Sequence, residues 1–328
     1  MRILKAALPL VVMLASFAEV QAQTVQTTLN YPIGVNGVAV DFGANRAYVL
    51  LPNYFANGTN GVQVLDGSNN TVITTFGAPV ANAIAVNVAT GTVYVGGSIP
   101  SSTNPSGIES VVSALNPKTG AVTATIPITA NNGSGIVALA VDPVTNRVFV
   151  SNASDNTIAV INGKTNVVTA SLSLNGQTPA GLGVNFLTGK VYAALNDNQV
   201  AILTEKTNAL TYATYGSQTS GIAVDPFKNQ EYVTDGVFDV PTVGVLSSTG
   251  ATVASIPVGL FPQGIDVDFV TEYVFVANEA DGTLSKIDAD SNTVVSTVSV
   301  AANSVAVNPR EATVYAVGST SVTVLTEN

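Results

Sequence analysis

The sequence predicts an all-β fold, a seven-bladed β-propeller of four-stranded antiparallel blades, and three observations carry that prediction. Seven copies of one repeat fall into register on an Asp or Asn that ends a short apolar strand: Asp41, Asn87, Asp142, Asn185, Asp225, Asp268 and Asn308. Seven residues after each anchor stands an aromatic, in turn Tyr48, Tyr94, Phe149, Tyr192, Tyr232, Phe275 and Tyr315. Successive anchors are 46, 55, 43, 40, 43 and 40 residues apart, which matches the roughly 40 to 45 residues of a four-stranded blade.

The chain opens with Arg2 and Lys5, an apolar run from Ala6 to Phe17, and Val20-Gln21-Ala22. This order of charged, apolar and small-residue regions is that of a secretory signal, with cleavage after Ala22. Residues 1–22 are therefore read as a signal peptide and 23–328 as one propeller domain. Within each unit the first strand (a) carries an aliphatic, a small residue and a Val, as in Val38-Ala39-Val40. A turn built on the anchor and an Asn or Gly suited to positive φ leads to the second strand (b), Arg46 to Val49 in the first unit. A third strand (c) follows a variable loop, as in Val62 to Leu65, Ile158 to Ile161 and Val322 to Leu325. A turn such as Asn162 to Asn166 opens the fourth (d), here Val167 to Leu174. Apolar residues at both parities of these strands mean sheets covered on both faces, as blades stacked around an axis require.

The seventh unit reaches strand c at Val322 to Leu325, and the segment Thr24 to Leu29 precedes the first strand a as every strand d does. Pairing those two closes the ring and covers an open edge.

The recurring Asp-Pro, Thr-Asn/Gly turn, Val-Tyr/Phe-Val, small residue and Asn resembles the YVTN-repeat seven-bladed propellers of secreted and surface-layer proteins. Phe149-Val150-Ser151-Asn152 and Phe275-Val276-Ala277-Asn278 lie nearest the name motif, and Tyr232-Val233-Thr234-Asp235 departs from it by one residue. The resemblance covers the whole chain after Ala22. It implies the fold and a secreted or periplasmic address, and it says little about activity, since one fold hosts many functions.

Composition removes several chemistries. The chain has no Cys and no His, so disulfides, thiolate nucleophiles, His-ligated metals and the Ser-His-Asp triad are excluded. Lys and Arg number 11 against 21 Asp and Glu, a balance unsuited to nucleic acid, whose phosphates call for dense basic residues. No second apolar span follows the signal, so no membrane insertion is expected, and the ring is expected to be a monomer.

In a propeller the b-to-c and d-to-a loops share one face, and the a-to-b and c-to-d turns share the other. Arg46, Arg147, Lys190, Lys228 and Arg310 fall near a-to-b turns and Lys118, Lys164 and Lys206 in c-to-d turns. The loop-rich face holds Glu109, Asp155, Asp197, Asp235, Asp239, Glu279 and Asp281 without a Lys or Arg. Its potential is expected to be negative and to repel anions. Four aromatics of that face, Tyr54, Phe55, Phe238 and Phe261, are candidate ligand-binding residues, because rings among Asn and Asp suit stacking on sugars or gripping a peptide. Asp235, Asp239, Glu279 and Asp281 lie in loops of the fifth and sixth units, and four acids without a cation repel one another unless an ion intervenes, so Ca²⁺ is a possible ligand there. Asp288 to Asn292 begins like a calcium loop, but Ser299 stands where the bidentate Glu belongs, and the segment aligns with an ordinary turn.

The sixth unit has two exceptions. Asp266 stands where the other units have Ala or Gly, and Lys286 where they have Val, Ile or Ala. Buried charges are ordinarily paired, so Asp266 and Lys286 are expected to face each other as a structural pair. Two function classes stay open. One is a non-enzymatic binding or scaffold protein that presents a protein, peptide or glycan of the cell envelope to the acidic face and needs no cofactor. The other is a lactonase-like hydrolase or lyase working through acids and a bound divalent metal at the channel mouth.

Overall fold

The computed structural model describes residues 23–55, 57–102, 107–129, 135–236 and 240–327. It is built from strands, with no helix among the described residues. An N-terminal strand, β1 (Thr24–Asn30), comes first. The first blade follows as β2 (Gly37–Asp41), β3 (Arg46–Leu51), β4 (Asn60–Asp66) and β5 (Val72–Ala78). The second is β6 (Ala83–Val86), β7 (Val93–Pro100), β8 (Ile108–Leu115) and β9 (Val122–Thr129). The third is β10 (Ile136–Asp142), β11 (Arg147–Asn152), β12 (Thr157–Asn162) and β13 (Val167–Ser173). The fourth is β14 (Pro179–Asn185), β15 (Lys190–Leu195), β16 (Gln199–Thr204) and β17 (Ala209–Thr214). The fifth is β18 (Thr219–Asp225), β19 (Gln230–Asp235), β20 (Thr242–Ser247) and β21 (Thr252–Pro257). The sixth is β22 (Pro262–Asp268), β23 (Tyr273–Asn278), β24 (Thr283–Asp288) and β25 (Thr293–Ser299). The seventh holds β26 (Ser304–Asn308), β27 (Thr313–Val317) and β28 (Ser321–Thr326), and β1 is its outer strand. All seven sheets have four antiparallel strands, and the closing pair runs from Thr24 opposite Thr326 to Asn30 opposite Ser321.

Each anchor ends strand a and builds the turn after it. Asp142 Oδ1 accepts the Val144 and Thr145 N–H groups at 2.7 and 3.0 Å, and Asp225 and Asp268 take the equivalent pairs. Such side-chain turns favour Asp and Asn because their short oxygen reaches the backbone two residues on. The fourth residue after the anchor must take positive φ. It is Asn at 45, 146 and 229, Gly at 91 and 189, Glu at 272 and Ala at 312.

The seven aromatics are buried to within 1% of zero exposure and lie in the seams between blades. Tyr48 packs with Leu50 and Val64 of its own blade and with Val93, Val95 and Val111 of the next. Since each sheet is covered on both sides, the core of this protein is seven seams rather than one interior. Burying one such ring contributes roughly 2 to 3 kcal/mol.

The inner strands surround an axial channel of about 440 Å³ walled by small and aliphatic residues such as Ala39, Ala85, Ala140 and Ala306. Among the described residues that line it, Asp266 is the one with a charged side chain.

Candidate functional site

On the loop-rich face the two kinds of loop are tied together by one repeated backbone bond. Ala153 N–H donates to the Gly135 carbonyl, Asn196 to Thr178, Gly236 to Gln218 and Glu279 to Phe261, at 2.7 to 3.0 Å. Several acids of this face spend their carboxylates on the same task. Asp235 is buried and accepts the Ser217 N–H at 3.2 Å and the Gln218 N–H at 2.9 Å. Asp197 accepts the Gln199 N–H at 2.8 Å and the Gln177 side-chain amide at 2.9 Å. Asp281 takes the Leu260 N–H at 2.5 Å, whereas Glu279 is exposed. Among the described residues no three Asp, Glu, His or Cys side chains come together as a metal cluster. Asp239 and Phe238 lie outside the described residues.

This face carries a groove of about 460 Å³ beside the ring closure, between the β1–β2 connection and the first blade, and another concavity of about 500 Å³ at Tyr215, Ser217 and Asp235. Leu29, Tyr31, Ile33, Tyr54, Gln63 and Val72 line the groove. Tyr31 donates its hydroxyl proton to Gln63 Oε1 at 2.6 Å, a buried bond. Burial, with a smaller contribution from Tyr54, pushes the Tyr31 phenol up to about 12, so it stays a neutral donor. Tyr54 stands at the mouth, with its ring edge-on to Phe55 at 5.1 Å between centroids. A Cβ at Gly61 would come within 3.1 Å of the Tyr54 ring, so the glycine gives the ring its seat. Of the four aromatics expected on this face, Tyr54 lines the groove and Phe55 packs edge-on against it. Phe261 is half-buried in the loop before β22, with φ at 55°, a region costly for a residue with a Cβ.

No family model and no curated protein matches the chain.

Asp266 and Lys286 do not form the expected pair. They share one cross-strand row, Asp266 opposite Phe275 and Phe275 opposite Lys286, so their side chains leave the same face of the sheet with the Phe275 ring between them. Asp266 turns to the channel wall and accepts the Val307 N–H of the seventh blade at 2.8 Å and the Val267 N–H at 2.9 Å. Burial raises its carboxyl to about 6. Lys286 reaches the other way, over the Tyr273 ring at 3.6 Å, and donates to the Glu327 carbonyl. A regularity of the seams accounts for this. Arg147 of the third blade donates to the Glu205 carbonyl at 2.5 Å, and Lys190 of the fourth donates to the Ser248 carbonyl. In the sixth blade that basic position is Tyr273, and Lys286 supplies the missing cation from the neighbouring strand.

Sequence reasoning also missed a set of buried carboxyls. The carboxyls of Asp142 and Glu205 face each other across the seam between blades three and four, with Asp142 Oδ2 and Glu205 Oε1 buried, and Thr145 Oγ1 donates to Glu205 Oε2 at 2.9 Å. The seam between blades six and seven repeats the arrangement with Asp268, Glu327 and Thr271, whose hydroxyl lies 2.6 Å from Glu327 Oε2. Burial first, and the facing carboxyl second, raises Glu205 to about 7. Glu327 is raised by burial to about 8. Glu231, fully buried beside Tyr192 of the neighbouring blade, is raised to about 7 by burial. The available signal was the placement of Glu205 and Glu327 at the same turn position of two units.

Proposed function

We propose that this ring is a secreted or periplasmic binding or scaffold protein whose ligand, a peptide or glycan of the cell envelope, docks on the loop-rich face at the Tyr31–Tyr54 groove. The observation that carries this reading is the groove itself: about 460 Å³ of mostly aromatic and aliphatic wall with a Tyr–Gln hydrogen bond in it and no basic residue among its lining. Apolar walls with a few fixed polar groups are the usual make-up of small-ligand sites. The acids Glu109, Asp155, Asp197, Asp235, Glu279 and Asp281 on the same face disfavour anionic ligands, which leaves neutral sugars and neutral or cationic peptides. The repeat's resemblance to YVTN propellers and the signal-like segment at residues 1–22 support the address. The test is a panel of neutral glycans and of neutral, cationic and anionic peptides titrated calorimetrically against the chain and its Tyr54→Ala variant. Binding that Tyr54→Ala abolishes without lowering the melting temperature is the expected outcome. Binding indifferent to Tyr54, or a preference for anionic ligands, would dismiss the reading.

A further inference from the structure

The opposite face carries an apolar patch that no single repeat reveals. The second residue after the anchor sits at the tip of each a-to-b turn, and in blades three to six it is Val144, Leu187, Phe227 and Val270, exposed by 70, 56, 64 and 64%. Blades one, two and seven have Gly43, Ala89 and Arg310 there. The Phe227 tip is one link in a row of four rings in contact from turn to turn: Phe186 to Phe227 at 6.3 Å, Phe227 to Phe269 at 5.5 Å, and Phe269 to Phe42 at 5.8 Å between centroids. Scattered exposed aliphatics are ordinary, but exposed apolar tips at the same turn position of four adjacent blades, with a row of contacting rings among them, mark an interaction surface.

Charge around the patch is divided. Lys118, Lys164 and Lys206, all exposed, stand in the c-to-d turns of blades two, three and four. On the other side, blade six presents Asp288, Asp290 and Glu272, with Lys228 bridging Glu272 at 3.2 Å and also contacting Asp290. Asp290 keeps 73% of its side chain exposed. The c-to-d turn of blade five, Ser247 to Gly250, carries no charge.

We infer that two copies of this chain associate face to face through this patch, about a two-fold axis lying in the face and passing through the seam between blades four and five. That axis superposes blade four on blade five and blade three on blade six. Leu187 then meets the partner's Phe227, Val144 meets the partner's Val270, and Lys164 meets the partner's Asp290. An apolar patch centred on the axis with opposite charges on its two flanks is complementary to itself under this operation, as an isologous interface requires. A foreign partner would have no reason to share that symmetry, and a uniformly anionic surface would be repelled by the blade-six acids. The dimer departs from the monomer expected from the sequence, because the turn tips come together only once the ring has formed. It uses the face opposite the Tyr54 groove and stands independently of the proposed ligand.

The test is sedimentation equilibrium of the full chain over a range of concentrations, with melting temperature measured on every variant. The chain is expected to sediment with twice the mass of one copy, and Phe227→Asp to sediment with the mass of one copy at an unchanged melting temperature. Lys164→Glu should weaken the dimer, and combining it with Asp290→Lys should restore it, because the swap returns opposite charges to both ends of the interface. A chain that stays monomeric at every concentration, a dimer indifferent to Phe227→Asp, or a charge swap that fails to restore association would each overturn the proposal. So would a monomer that pellets with vesicles of anionic lipid through Phe227, which would assign the patch to a membrane surface.

Discussion

Between Asp142 and Glu205, and again between Asp268 and Glu327, two carboxyl groups meet in a seam where the Glu residues are only 4 and 3% exposed. Two such groups resist ionising together at close range in low dielectric, so each pair keeps a proton until the pH approaches the raised Glu values. Around the first pair the other polar groups are Thr145 and Arg147, and around the second Thr271 and Lys286. Glu205 and Glu327 bind protons more tightly folded than unfolded, with folded values of about 7 and about 8 against 4.5 for the free side chain. Their contribution is therefore fully present below the unfolded value and is lost as pH rises through 7 to 8. Each pH unit of difference is worth about 1.4 kcal/mol. Chemical denaturation should accordingly find the ring more stable at pH 5 than at pH 8.5, and Glu205→Gln should flatten that slope, since an amide needs no proton to donate to Asp142. A slope unchanged in Glu205→Gln would remove the shared proton from this seam. Lys286 yields a second prediction at the same scale. Lys286→Met should destabilise the chain by roughly 1 to 3 kcal/mol, the cost of leaving a buried acceptor unsatisfied. Asp266→Ala should not restore the loss, because the two residues serve different acceptors and donors; a double-mutant cycle measures this directly.

The anchor turns show a second rule one level up. Asn87, Asn185 and Asn308 donate their amides to Asn146, Asn229 and Asn45 of the following blade, at 2.7, 2.9 and 2.9 Å. Where the anchor is Asp41, Asp142, Asp225 or Asp268, the following blade has Gly91, Gly189, Glu272 or Ala312 at that position. A carboxylate has no proton to give an amide oxygen, so the residue on one turn goes with the residue on the next. Replacing Asn185 with Asp should cost about 1 kcal/mol, and adding Asn229→Gly should recover part of it. Equal loss in the single and double variants would show that the amide bond contributes nothing. Every residue of this rule was present in the sequence. Aligning the units compares like positions with like, however, whereas the seam joins the anchor of one unit to the fourth residue beyond the anchor of the next. The repeat and the seven aromatics were legible because packing imposes one phase on all blades. Glu205, Glu327 and the partners of Lys286 were not, because they depend on which turn lies across a seam. The groove at Tyr54 was legible only as far as its aromatic residues, since its wall is completed by Tyr31 from the β1–β2 connection and Gln63 from β4.

At the scale of the molecule, the ring is held by pairing β1 with β28, whose partners lie about 300 positions apart in the chain. Removing residues 23–30 should lower the melting temperature by many degrees, because it exposes one edge of β28 and opens the seam beside Tyr315. Thermal unfolding followed by circular dichroism checks this, and a truncated chain that melts with the intact one would contradict it. The same pairing has a consequence in time. Six blades assemble from contacts a few tens of residues apart, but the seventh must wait for the far end of the chain, and a closure over such length is entropically costly and slow. During synthesis β1 emerges first and its mate last, so for nearly the whole elongation it is a strand without a neighbour. Its sequence, Thr24-Val25-Gln26-Thr27-Thr28-Leu29-Asn30, is mostly hydroxyl and amide side chains, with a register shift between Val25 and Thr27. A polar, irregular strand of this kind is a poor template for stray pairing, and it is well suited to remain solvated until the last hairpin arrives.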